Sequence, residues 1–201
     1  LKEWANDIVP DSDAVIIEGV PSLGWENGKS ATELAALEAA QNAQGDPADY
    51  TFLSGASGQA FRFQFFDEWC PSSPYPGVGA PTLDRALASR GLEAEHLALS
   101  PDGKNKPAIL SAIKASIDAG VPVLGTGVTD LWETGVIYGY QKGGEELFCR
   151  SSGDTRRGLE LAHQFPRSVL VLRKTGEPDD LRSAFMGFGH THTDLATGKY
   201  D

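Results

Sequence analysis

The hydrophobic pattern is sharpest between Tyr50 and Phe66, YTFLSGASGQAFRFQFF. Phe61, Phe63 and Phe65 alternate with Arg62 and Gln64, which is the period of a strand with one apolar and one polar face. Ser54, Gly55, Ser57 and Gly58 precede it as a small-residue turn whose backbone N–H groups can be offered to a ligand. The pair reads either as a glycine turn entering a core strand or as a pocket wall with Arg62 or Gln64 pointing in.

Residues 1–12 read as a polar arm and Asp13 to Val20 as a first strand. Pro21 to Lys29 is a loop carrying Trp25. A helix follows from Ser30, where Ser30 and Glu33 make a capping box and no breaker intervenes before Gly45. Its six alanines let a neighbouring element come close, which predicts a central, buried helix. Trp69 to Pro81 holds four of the twelve prolines and cannot be helix or central strand. Thr82 to Arg90 predicts a short helix, Glu93 to Leu99 a strand, and Lys106 to Ala119 an amphipathic helix with Ile109, Ile113 and Ile117 on one face. Four strands are then predicted at Val121–Thr126, Gly135–Tyr140, Glu145–Arg150 and Arg167–Arg173, with a hairpin turn at Gln141–Gly144. Gly158 to Gln164 suggests a short helix, Leu181 to Met186 starts another, and residues 187–201 read as a polar tail. Helices early and an antiparallel sheet late give an α+β order, with one domain expected over residues 13–186.

Composition narrows the function classes. With 201 residues and 40% hydrophobic positions, one substantial core is expected. The balance of 17 basic and 28 acidic residues leaves a formal charge of −11, which disfavours nucleic acid and anionic membrane surfaces as partners. The longest apolar runs are strand-sized. Two cysteines, Cys70 and Cys149, make no disulfide framework or metal motif, and point to buried thiols in a reducing, cytoplasmic setting.

Two phrases carry a family resemblance. Val123 to Leu147, with strand, GYQKGG hairpin and strand, resembles a signature of papain-like peptidases of the bacteriocin-processing group. Ser30 to Phe66, a helix followed by a small-residue turn and an aromatic segment, is similar to the N-terminal domain family of butirosin biosynthesis protein H. The resemblance implies a papain-like fold, with a helix-rich N-terminal half whose buried central helix packs on a C-terminal antiparallel sheet. It also implies a nucleophilic cysteine at the N-terminus of that helix, activated by the helix dipole and a histidine across the cleft.

Carried over residue by residue, the pattern is broken here. The nucleophile position falls on Thr32 or Ser30, neither of them a thiol, and an alcohol is weak without a strong base. The histidine position falls on Glu133 or Thr134, and the supporting Asp or Asn falls near Cys149 and Arg150. The polar oxyanion residue falls among Trp25, Glu26 and Asn27, of which Asn27 can donate. A carboxylate of ordinary pKa, ~4.3, is a poor base at neutral pH.

Other constellations carry less. His190, His192 and Asp194 would share one side of an extended segment, but no third ligand spacing supports zinc. His163 reads as a surface residue and His96 as a core-edge residue. Cys70 has no partner base in view.

Three functional readings follow. The first is a non-catalytic or atypical papain-like domain binding a small molecule or peptide, with Trp25, Asn27, Ser54, Ser57, Arg62 and Trp132 lining the site. The second is an amide hydrolase or acyltransferase with an unorthodox nucleophile, Ser30, Thr32, Ser57 or Cys70, and Glu133 as the base best placed by analogy. The third is a structural or assembly module of a longer protein. No cofactor or metal is implied, and no oligomeric state.

Overall fold

The computed structural model describes residues 8–24, 28–62, 80–129, 132–154 and 158–197. It is a mixed α+β structure with helices and an antiparallel sheet. The chain divides into two compact units, Leu1–Pro47 with Glu95–Leu172, and Ala48–Ala94 with Arg173–Asp201.

The first unit is built on a sheet. Its strands are β1 (Val15–Ile16), β2 (Leu92–Ala98), β3 (Val123–Thr126), β4 (Thr134–Gln141), β5 (Glu146–Arg150) and β6 (Ser168–Lys174), and the chain passes between units within β2 and β6. The order is β1-β4-β3-β6-β2, with β5 also paired to β4. Antiparallel register sets Thr126 opposite Thr134, Leu124 opposite Val136, and Val136 opposite Arg150.

Side chains alternate across this sheet, so each strand feeds two cores. One face carries Val123, Ile137, Leu147, Cys149 and Val169, packed with Ile109, Ile113 and Ile117 of α4 (Lys106–Asp118). Burying each isoleucine is worth about 2 kcal/mol, which is what the i, i+4, i+8 spacing anticipated. The opposite face carries Leu124, Val136 and Phe148, each fully buried. Against β3 and β4 lies α1 (Thr32–Ala43), whose Leu34, Ala35, Ala36, Leu37, Ala39 and Ala40 are all buried. A helix apolar on every side belongs in an interior, and the alanines allow that close approach.

The second unit holds α2 (Tyr50–Ala56), a 3₁₀ turn at Gln59–Phe61, α3 (Thr82–Ser89) and α5 (Asp180–Ala196). Here the opening pattern misled. Asp49 caps α2, its carboxylate accepting from the Phe52 N–H at 3.0 Å, so Ser54 and Gly55 lie inside a helix instead of a turn. Gly58 then ends it in the left-handed conformation at φ +80°. The alternation from Phe63 to Phe66 lies outside the described residues.

Other expectations are corrected as well. The helix expected from Ser30 begins at Thr32, with extended Ala31 at the cap position and no side-chain cap, so the Ser30–Glu33 capping box does not form. Only Val15–Ile16 of the first predicted strand pairs. Residues 158–164 form no helix; Leu161 makes an isolated bridge to Phe148. His96 is exposed on β2, not at a core edge. The polar tail is helical as far as Ala196, where Asp194 of α5 accepts hydrogen bonds from Arg62 and Arg85.

Candidate functional site

The sheet end where β3 turns into β4 gathers the residues the sequence singled out in the first unit. Thr126 and Thr134 face one another across the register, their hydroxyl oxygens 3.4 Å apart. The loop between the strands is drawn shut by the Gly127 N–H, which donates to the Glu133 carbonyl at 3.0 Å. Thr32, the first residue of α1, reaches the same place. Its hydroxyl accepts from the Thr134 N–H at 3.3 Å. The helix-start residue and the strand-start residue are thus joined across the unit's interior.

Glu133 stands beside that bond. Its Oε2 is buried and has no hydrogen-bond partner among the described residues. Removal from water penalises the charged form, so burial pushes the carboxyl above its ordinary range. A carboxyl in that state holds its proton more readily and can donate a hydrogen bond as well as accept one. Among the described residues no hydrogen bond links Thr32 or Ser30 to Glu133 or to an imidazole. Ser30 itself is exposed.

Trp132 precedes Glu133 and is 74% exposed. It is held from one side by the Arg167 guanidinium, 3.6 Å from the ring centre, a cation–π stack. Arg167 is positioned by its backbone N–H, which donates to the Thr126 carbonyl at 2.9 Å. Its stem passes over Gly127, where an added Cβ would meet Cγ and Cδ at 3.2 Å. Arg167 was not singled out from the sequence; it sits at the edge of a strand pattern, and only the pairing of β3 with β6 brings it under Trp132.

At the neighbouring end of β5 lies a buried polar corner. Asp154 accepts from the Ser151 N–H at 2.8 Å and from the Leu23 N–H at 3.2 Å. Arg150 donates to the Gly158 carbonyl at 2.7 Å and lies over the Tyr138 ring at 5.4 Å. Cys149, next to it but on the α4 face, is buried, and burial pushes its thiol up to about 12, helped by the charge of Asp154. It is a packing residue, not a nucleophile.

The remaining candidates fall differently. Trp25 and Asn27 lie outside the described residues, as does Cys70. Ser54, Ser57 and Arg62 belong to the second unit. Ser57 is fully buried, donating to the Ser54 carbonyl at 3.1 Å, so its hydroxyl is not offered to solvent. Arg62 does not point into an open pocket: its side chain is completely buried, donating to Asp194 at 3.0 Å. The same carboxylate takes two bonds from Arg85, at 2.7 and 2.9 Å. Those arginines, Arg85 foremost, hold the Asp194 carboxyl well below the usual range. Asp194 was read from sequence as part of an extended HxHxD run; on α5 it turns inward while His192 is exposed, so the three residues share no face. No cluster of three His, Cys, Asp or Glu side chains suited to a metal occurs among the described residues. No helix among them is long and apolar enough to cross a membrane.

Comparison with protein-family models, with curated proteins and with solved structures found no match to this chain.

Proposed function

We propose that the first unit is a papain-like domain that uses its cleft to bind a small molecule or peptide and does not cleave it by cysteine chemistry. The observation that carries this reading is the 3.3 Å bond from the Thr134 N–H to the Thr32 hydroxyl. Thr32, which the resemblance aligns with the nucleophile, is an alcohol, and in this bond its oxygen accepts from main chain. A serine- or threonine-type nucleophile needs a base within hydrogen-bond reach of its own proton, and among the described residues none is hydrogen-bonded to Thr32.

What the site offers instead is recognition. Trp132 presents an exposed indole braced by Arg167, suited to stacking with a planar or aromatic group. Glu133 presents a carboxyl whose Oε2 has no hydrogen-bond partner among the described residues, able to meet the N–H of a primary or peptide amide. Thr126 and Thr134 add short hydroxyls. The ligand class that fits is a neutral amide-bearing molecule with an aromatic group.

Two probes test the reading. An acyl-fluorophosphonate should leave Thr32 and Ser30 unlabelled by mass spectrometry, while N-acetyl-phenylalanine amide should shift the NMR resonances of Trp132, Glu133 and Thr134. Labelling of Thr32 would transfer the site to the amide hydrolase reading, with Glu133 as its raised-pKa base.

A further inference from the structure

The helix α5 has two faces of different character. One is committed to its own unit: Gly187 meets Gly55, where an added Cβ would sit 2.2 Å from the Gly55 carbonyl oxygen, and Asp194 takes the two arginines. The other is apolar and open. Leu181, Phe185 and Phe188, at i, i+4 and i+7, are 72%, 72% and 70% exposed. Phe61 extends this patch, its ring 5.4 Å from that of Phe188. These four make up most of the exposed large hydrophobic side chains among the described residues. A contiguous patch of this kind marks an interaction surface, whereas singly scattered residues do not.

We propose that this face joins two copies of the chain, α5 packing antiparallel against α5 of the second copy about a two-fold axis between Phe185 and Phe188. The pattern favours a second copy as the occupant because it is self-complementary: a two-fold there sets Phe185 against Phe188 of the other copy. The antiparallel arrangement also opposes the helix dipoles and sets acidic Asp179 and Asp180 opposite the C-terminal turn bearing exposed His192.

Area agrees. An aromatic side chain offers ~200 Å², so at their exposures the four side chains present on the order of 500 Å² per copy. Two copies would bury about 1,000 Å², the least that a specific interface needs.

Sedimentation velocity across micromolar concentrations tests the proposal on the whole chain. The expected result is a reversible dimer whose dissociation constant rises roughly thirty-fold or more in Phe185→Glu and again in Phe188→Glu, the effect of losing a central anchor. Circular dichroism should be unchanged in both, since neither side chain is buried in the single copy. A strictly monomeric wild type, or a dimer indifferent to both glutamates, overturns the assignment. So does a monomer that instead binds phosphatidylcholine vesicles.

Discussion

Thr32 and Thr134, 102 positions apart, are joined by a hydrogen bond from the Thr134 N–H to the Thr32 hydroxyl at 3.3 Å. It fixes the start of α1 to the start of β4 and sets Glu133 beside it. Thr32→Ala, which leaves the Thr134 N–H without that acceptor, should lower stability by about 1 kcal/mol in urea titrations. Thr32→Ser should restore most of it, because the hydroxyl and not the methyl accepts the bond.

The buried Glu133 carboxyl makes stability depend on pH. Its folded pKa is raised by desolvation, so the folded state holds the proton more tightly than the unfolded chain. Stability therefore falls as pH rises from the ordinary carboxylate range through the raised folded value. Glu133→Gln should be the more stable protein at pH 7 and lose that advantage below about pH 4, where both forms are neutral. Paired urea titrations at the two pH values read this out; an advantage equally large at both would refute the assignment.

Asp194 behaves with the opposite sign. Arg85 first and Arg62 second lower its folded pKa, so its contribution is present above the unfolded value and is lost as pH falls through the depressed folded one. Asp194→Asn removes the charge that the buried Arg62 and the half-buried Arg85 share and should cost about 3–5 kcal/mol at neutral pH. Hydrogen exchange should report the loss in α2, α3 and α5 of the second unit.

Gly187→Ala tests the approach of α5 to α2. A Cβ there would lie 2.2 Å from a main-chain oxygen that cannot swing aside, so the helices must separate, at a cost of about 1–3 kcal/mol. Gly189→Ala, in open space on the same helix, should raise monomer stability slightly through helix propensity. Thermal melts of the two variants should move in opposite directions.

Cys149 should resist iodoacetamide in the native protein and react only after denaturation. Burial takes its thiol up to about 12, leaving almost no thiolate at neutral pH. Rapid native alkylation at this residue would contradict its packing role.

The sequence alone determined the elements whose stabilisation is local or strictly periodic. The isoleucine spacing of α4, the breaker-free alanine helix, and the strand–turn–strand run from Val123 to Arg150 were all legible, because a buried face imposes its period on the residues that build it. No local pattern records that Thr32 would meet Thr134. Tertiary structure alone decided the rest. A single carboxylate cap at Asp49 turned a glycine-rich run from an apparent turn into α2. The polar run GHTHTD became the end of α5 because Asp194 could bury its charge between Arg62 and Arg85, residues more than a hundred positions away. Arg167 came under Trp132 through strand pairing that no local pattern encodes. Periodicity records which residues face a core; it does not record which charge will meet which, and in this chain those meetings fix the fate of Arg62 and the make-up of the candidate site.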